Sequence, residues 1–134
     1  YSKSYIDNPH KTSLRPDFMI LTYPVISMTD SLTHIGSRNS LLGENASPEK
    51  IKEYSNELHV TQNTPPTFIT HAVDDTDVKV QNSLVFIAAL QQNKVPVESF
   101  FYTNGGHGFG IDNPTSTVQW ITPCIDWILK INKK

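Results

Sequence analysis

Residues 105–110 place a single histidine within a glycine-rich turn. The segment reads Gly-Gly-His-Gly-Phe-Gly and comes just after the aromatic and β-branched run Val97–Thr103. Its four glycines allow the backbone to turn sharply and leave the His107 ring accessible. Because an imidazole has an ordinary pKa of about 6.5, it can accept and then return a proton near neutral pH. We therefore predict that His107 is a general base and general acid.

An acidic cluster provides the carboxylate that such a histidine needs. Asp74, Asp75 and Asp77 follow the run Thr67–Val73, and Asp75 precedes His107 by 32 residues. One helix and one strand would span that distance and bring both loops to the same edge of a parallel sheet. A carboxylate there would fix the tautomer of His107 and stabilise its protonated form. Asp75 fits this role, and the other two aspartates compete with it.

Apolar runs indicate how these residues are positioned. Three of them predict strands, at Phe18–Tyr23, Thr67–Val73 and Val97–Thr103. The first is almost wholly apolar, as is typical of a strand that is buried on both faces. Alternation of strands with helical patterns predicts parallel strands joined by right-handed crossovers, in a three-layer α/β/α sandwich with a mostly parallel sheet.

Three segments predict helices. Ser47, Pro48 and Glu49 are typical of an N-cap, a proline in the first turn and an acid near the positive helix end. The last helix is expected over residues 117–131, and Asp77 is expected to cap the helix before it. The predicted apolar faces are Ile51, Tyr54 and Leu58; then Val80, Leu84, Ile87 and Ala88; then Val118, Ile121, Ile125, Ile128 and Leu129.

The predicted sheet is thin, and its first strand has a free edge. A parallel sheet normally has more neighbours than these strands provide, and the first residue is Tyr1 rather than methionine. We therefore expect a single, incomplete domain over residues 1–134, with more sheet preceding Tyr1. An N-terminal half or a second copy of the chain would supply the missing neighbour. Residues 27–47 are expected to form an inserted pocket or lid segment.

Composition excludes several classes of partner. The chain has 11 basic and 13 acidic residues, so no charge excess exists to bind nucleic acid or anionic lipid. No membrane span is predicted, since charged residues make up 18% and apolar residues 37%.

Cys124 is the single cysteine and is expected to be a small buried hydrophobe. With no disulfide and no visible signal peptide, the cytoplasm is the favoured compartment.

Several motifs together resemble the α/β-hydrolase superfamily, and most closely its bacterial esterase and acetyl-xylan-esterase-like members, some of them associated with endo-xylanases. Taken singly each motif is weak, but their order and spacing are specific. The resemblance implies the C-terminal portion of an α/β-hydrolase fold. The motifs are Arg15-Pro-Asp-Phe, Tyr23-Pro-Val-Ile, His34-Ile-Gly-Ser-Arg, Leu41-Leu-Gly-Glu-Asn, Tyr54-Ser-Asn-Glu, Thr64-Pro-Pro-Thr-Phe, His71-Ala-Val-Asp-Asp and Gly105-Gly-His-Gly-Phe-Gly.

The resemblance also implies roles for particular residues. Members of the superfamily carry a triad in the chain order Ser, Asp, His, and Asp75 and His107 fall on the last two positions. Asp75 is preferred because the family acid stands three residues before a valine, here Val78; Asp74 is the alternative. His34 and Arg38 are candidate substrate-binding residues. No metal or organic cofactor is implied, and His71 is expected to be a strand residue with a satisfied ring rather than a metal ligand.

One family motif has no counterpart in the chain. No Gly-x-Ser-x-Gly occurs in the 134 residues, so the nucleophilic serine and the oxyanion hole are expected upstream of Tyr1. Ser37 and Ser40 lie on no strand-to-helix turn and are not expected to replace it. We therefore expect the chain alone to be inactive.

The function implied is the C-terminal part of a serine carboxylesterase that acts on small or carbohydrate-linked acetyl esters. The alternatives are a peptidase or dienelactone-hydrolase-like enzyme, and a non-catalytic hydrolase remnant that binds a partner.

Overall fold

The computed structural model describes residues 11–132 and contains a three-stranded parallel sheet. The strands lie in the order β1, β2, β3, and they are β1 Met19–Thr22, β2 Thr67–Ala72 and β3 Val97–Tyr102. The helices are α1 Ile35–Leu42, α2 Pro48–Glu53, α3 Gln81–Gln92 and α4 Ile121–Ile131, with a short 3-10 helix at Asn56–His59. Helices and strands alternate along the chain, and the three-layer α/β/α fold class is confirmed.

The sheet is buried at its centre and open at one edge. Every residue of β2 is buried, since β1 and β3 flank it and helices cover its faces. The prediction that the first strand is buried on both faces is wrong: β1 pairs with β2 alone among the described strands, and Ile20 is 39% exposed. All three strands begin at or within one residue of their predicted starts and end one residue early.

The two faces of the sheet hold separate apolar clusters because alternate strand residues point in opposite directions. On one face Phe68 packs with the α4 side chains Cys124 and Trp127. On the other face Ile69 packs with Phe86 and other residues of the α3 side. Cys124 is fully buried, as predicted, and burial raises the pKa of its thiol.

Helix α2 begins as predicted but ends early. The Ser47 hydroxyl accepts a hydrogen bond from the backbone N–H of Lys50, and Pro48 occupies the first helical position. The helix ends at Glu53 rather than continuing through Leu58, which is 53% exposed in the 3-10 helix that follows.

The buried face of α3 differs from the prediction. Leu84 is 48% exposed, whereas Asn82 and Ser83 are fully buried and Phe86 is buried beside them. Asn82 is buried because its amide oxygen accepts from two backbone N–H groups of the loop after β1, while its amide nitrogen donates to Leu32 O. Apolar periodicity could not reveal a helix face that buries polar groups with partners.

The buried face of α4 is also rotated from the predicted one. Cys124 and Trp127 are buried, with Trp120 just before the helix, while Ile125 and Leu129 are about half exposed. The large indole rings fill the space against β2, and Ile121 and Ile128 of the predicted face pack against them while partly buried. The helix also begins at Ile121, four residues later than predicted at its N-terminal end.

The segment at residues 27–47 contains a turn and then α1, a helix that the sequence did not predict. No residue of α1 is buried, and its N-cap is His34. Its role as a pocket or lid remains a prediction.

Within residues 11–132, no helix combines the length and the apolar character that crossing a bilayer requires.

Candidate active site

Asp75 and His107 meet at the carboxyl edge of the sheet. Asp75 follows β2 and His107 follows β3, and these strands are parallel neighbours with Ala72 opposite Tyr102. His107 Nδ1 lies 2.8 Å from Asp75 Oδ2. The Asp75 side chain is fully buried, whereas that of His107 is 32% exposed. With Nδ1–H donating to the carboxylate, the lone pair of the neutral ring lies on Nε2, where a proton can be accepted.

The Asp75 carboxylate is held by backbone donors as well as by His107. Its Oδ1 accepts from the N–H of Val78 at 2.8 Å and from the N–H of Asp77 at 3.0 Å. Burial alone would raise the pKa of Asp75, but the hydrogen bonds from His107, Val78 and Asp77 outweigh it and leave the pKa below its ordinary value. Asp75 is therefore ionised at neutral pH, as the orienting acid of a histidine must be.

The competing aspartates have other positions. Asp74 is exposed, and its Oδ1 accepts from the backbone N–H of Gly106 at 2.8 Å, so it ties down the histidine loop rather than the ring. Asp77 was expected to cap the next helix, but α3 begins at Gln81 with Val80 at its N-cap and without a side-chain cap. The 75–78 turn, which is closed on Asp75 itself, separates Asp77 from the helix.

Glycines shape the loop that presents His107. Gly106 and Gly108, which flank the histidine, have φ values of 59° and 80°. An L-residue with a Cβ is strained in this left-handed region, so glycine is the residue that fits there. At the end of the loop, the indole N–H of Trp120 donates to Gly110 O at 2.8 Å and fastens the loop to the region before α4.

An aromatic wall lies against the histidine. The ring centroid of Tyr23 is 4.7 Å from that of His107 and 4.9 Å from that of Phe109, in edge-to-face arrangements. Tyr23 comes directly after β1 and has φ 37°, an unusual value for an aromatic residue. Sequence reasoning did not assign Tyr23 to the site, although its place at the end of a strand was a usable signal.

His71 is a buried partner of the same carboxylate. It lies in β2 with a fully buried side chain, and its Nε2 is 3.1 Å from Asp75 Oδ2 and 2.8 Å from Val78 O. Its Nδ1 is 2.7 Å from Ser83 Oγ. The prediction of a strand histidine with a satisfied ring is confirmed. Burial lowers the pKa of His71, so this ring is neutral.

The two candidate substrate-binding residues make local contacts. His34 Nδ1 accepts from the backbone N–H of Ser37 and caps α1. Arg38 forms an ion pair with Asp30 and donates to Met28 O. Neither is hydrogen-bonded to Asp75 or His107 in the described part of the chain, and their role in substrate binding stays a prediction.

Comparison with known proteins shows which family the chain resembles. Residues 17–134 match the prolyl oligopeptidase family. The chain belongs to this family. It is 38% identical over 116 residues to endo-1,4-beta-xylanase B of Butyrivibrio fibrisolvens, and 36% identical over 111 residues to the acetylxylan esterase of Xylanibacter ruminicola. These matches cover 85% and 80% of the chain.

Comparison with a solved structure shows that the similarity includes the fold. The chain superposes on the acetyl ester-xyloside bifunctional hydrolase from Caldicellulosiruptor lactoaceticus with a TM-score of 0.88 and 39% sequence identity, over 97% of the chain. The expected resemblance to α/β-hydrolases of the esterase-like group is thereby confirmed. The chain spans 48% of that structure, and 18% and 23% of the two curated relatives.

Proposed function

We propose that the chain supplies the acid and the base of a serine hydrolase that cleaves small or carbohydrate-linked acetyl esters. The observation that carries the proposal is the 2.8 Å contact between buried, ionised Asp75 and the partly exposed ring of His107. Relatives named acetylxylan esterase and acetyl ester-xyloside hydrolase support the ester as substrate class. The proposal concerns the native protein, by which we mean the polypeptide as it is encoded.

The proposed chemistry is acyl transfer through a serine. His107 Nε2 takes the proton of the serine hydroxyl as its oxygen attacks the ester carbonyl, and the C–O bond to the alcohol breaks as His107 returns the proton to it. Water then cleaves the acyl-serine with the same base. Asp75 keeps the Nδ1–H tautomer in place and stabilises the imidazolium that forms twice in each cycle.

We further propose that the serine comes from a segment upstream of Tyr1. The 134 residues contain no Gly-x-Ser-x-Gly, and the matched hydrolase structure is about twice as long as this chain. The edge of β1 supports the proposal, because among the described strands β1 pairs with β2 alone, and its Ile20 side chain is exposed on one face. Beside this strand lies an open cavity of about 550 Å³ with apolar residues such as Met19, Leu21 and Phe86 in its lining. An added strand and its crossover helix would cover both features.

Hydrolysis of p-nitrophenyl acetate and release of acetate from acetylated xylan test the proposal. The native protein is expected to turn over both substrates, and His107→Ala is expected to abolish turnover. His59→Ala is the matched control, because His59 is an exposed histidine whose ring is hydrogen-bonded to Lys52 O. Turnover that survives His107→Ala would overturn the proposal, and so would activity of the 134-residue chain alone.

A peptidase is the second candidate, because the matching family is named for prolyl oligopeptidase. The same acid and base serve ester and amide cleavage, so the site itself does not separate them. Parallel assays with an acyl ester and with the corresponding acyl-proline anilide would separate them. Preference for the anilide would favour the peptidase, and no activity toward either would favour a non-catalytic remnant that binds a partner.

A further inference from the structure

Asp75 Oδ2 lies within hydrogen-bond distance of two imidazole rings. His107 Nδ1 is 2.8 Å away on the exposed side, and His71 Nε2 is 3.1 Å away on the buried side. The His71 ring is fully buried between β2 and α3, so no water competes for it. A carboxylate oxygen can accept from both rings at once, provided that each presents an N–H.

The neighbours of His71 determine which of its nitrogens carries the proton. Its Nε2 faces two acceptors, Asp75 Oδ2 and Val78 O, so the hydrogen is on Nε2 and donates to both. Its Nδ1 therefore has the lone pair and accepts from the Ser83 hydroxyl at 2.7 Å. Ser83 is itself fully buried on α3. The hydrogen bonds run in one direction, from Ser83 through His71 to Asp75.

We propose that His71 and Ser83 are positioning residues that hold the Asp75 carboxylate in the orientation that His107 requires. The proposal rests on the proposed function, since it gives the Asp75–His107 pair a second support. Backbone N–H groups of Asp77 and Val78 hold Oδ1, and His71 holds Oδ2. Each carboxylate oxygen therefore has a donor other than His107 that opposes its rotation.

Because His71 is neutral, it can orient the Asp75 carboxylate without cancelling its negative charge. A protonated ring beside Asp75 would cancel the charge that stabilises the His107 imidazolium. His71 instead offers a dipole that orients the carboxylate and leaves its negative charge for His107. The groups that face the His71 ring are the Ser83 hydroxyl, Val78 O and the carboxylate of Asp75, with His107 beyond that carboxylate.

Two substitutions in the native protein separate positioning from simple packing. His71→Gln places an amide N–H near the position of Nε2, whereas His71→Met keeps an apolar side chain of similar length without a donor. We expect His71→Met to lower kcat about tenfold with little change in KM, and His71→Gln to recover most of the loss. Nitrogen-15 spectra of the His107 ring should show a smaller share of the Nδ1–H tautomer in the Met variant than in the Gln variant. His59→Met is the matched control.

The outcomes distinguish this inference from the proposed function. If turnover depends on His107 but the Met and Gln variants match the unsubstituted protein in kcat and in tautomer, the positioning role is overturned and the hydrolase stands. If the native protein shows no turnover, the proposed function fails and the tautomer comparison alone decides the inference. Should His71→Met not fold, Ser83→Ala replaces it: a kcat reduced about threefold supports the role, and an unchanged kcat and tautomer overturn it.

Discussion

His107 Nδ1 and Asp75 Oδ2 lie 2.8 Å apart although the two residues are separated by 32 positions in the sequence. Their proximity follows from the parallel pairing of β2 and β3, which ends both strands at the same edge and places the two following loops side by side. The intervening α3 and the strand β3 account for most of the separation. The contact is therefore a property of the topology and not of local sequence.

Substitution of the two neighbouring aspartates should have unequal effects. In Asp75→Asn a neutral amide replaces the carboxylate, so the charge that stabilises the His107 imidazolium is lost. The amide can also favour the wrong tautomer of His107, and we expect kcat to fall about 10³-fold to 10⁴-fold. Asp74→Asn removes the charge but keeps an amide oxygen that can accept from the exposed Gly106 N–H, and we expect a loss of less than about tenfold. Steady-state hydrolysis of p-nitrophenyl acetate by the native protein makes the comparison. A larger loss in Asp74→Asn would identify Asp74 as the acid, and equal losses would contradict the assignment of Asp75.

Acid should destabilise the fold in two stages. Burial lowers the pKa of His71 below its ordinary 6.5, so the unfolded chain binds a proton first, and stability present above pH 6.5 is lost as the pH falls toward the folded-state pKa. The pKa of Asp75 is below its ordinary 3.8 because its hydrogen bonds outweigh burial, so a second loss begins below pH 3.8. Urea unfolding at a series of pH values measures both stages. His71→Gln should remove the first stage alone, and a stability unchanged between about pH 7 and about pH 5 would contradict the expectation.

The loop after the histidine should be sensitive to side-chain type at Gly108. A Cβ there would have no heavy atom within 4 Å outside its chain neighbours, so the cost of substitution is one of backbone conformation at φ 80°. We expect Gly108→Ala to lower the free energy of unfolding by about 1–2 kcal/mol and to reduce kcat by displacing His107. Gly108→Asn should cost less, since asparagine tolerates the left-handed region. Equal stabilities of the two variants would show that the loop relaxes to another conformation.

Removal of the Tyr23 ring should loosen the histidine. Tyr23→Ala deletes aromatic contacts to His107 and Phe109, each worth about 0.5–1.5 kcal/mol, so we expect a lower melting temperature and a kcat reduced several-fold. Tyr23→Phe keeps both ring contacts and serves as the control. Thermal unfolding and p-nitrophenyl acetate turnover provide the measurements. A loss in the Phe variant as large as that in the Ala variant would assign the effect to the hydroxyl instead.

Much of the sheet could be predicted because its strands are apolar runs with clear boundaries. Pro65-Pro66 precedes β2 and Gly105-Gly106 follows the end of β3, and such residues limit a strand to within about one position. Asp75 and His107 could be selected because parallel strands bring their following loops together, and the family pattern then favoured Asp75.

The helix faces and the buried part of the site depend on tertiary contacts that periodicity does not encode. Asn82 and Ser83 are polar yet fully buried, because loop backbone and the His71 ring satisfy their hydrogen bonds. The contact of His71 with Asp75 needs the strand and the following turn to fold back on each other. The packing of Tyr23 against His107 needs a positive φ that sequence does not indicate for a tyrosine.

The proposed function requires that Asp75 and His107 activate a serine that lies outside these 134 residues. Labelling of the native protein with a fluorophosphonate, followed by mass spectrometry of the labelled peptide, tests it most directly. We predict one labelled serine within a Gly-x-Ser-x-Gly sequence upstream of Tyr1, and loss of the label in His107→Ala but not in His59→Ala. A label on a serine within this chain, no label at all, or labelling that persists in His107→Ala would contradict the claim.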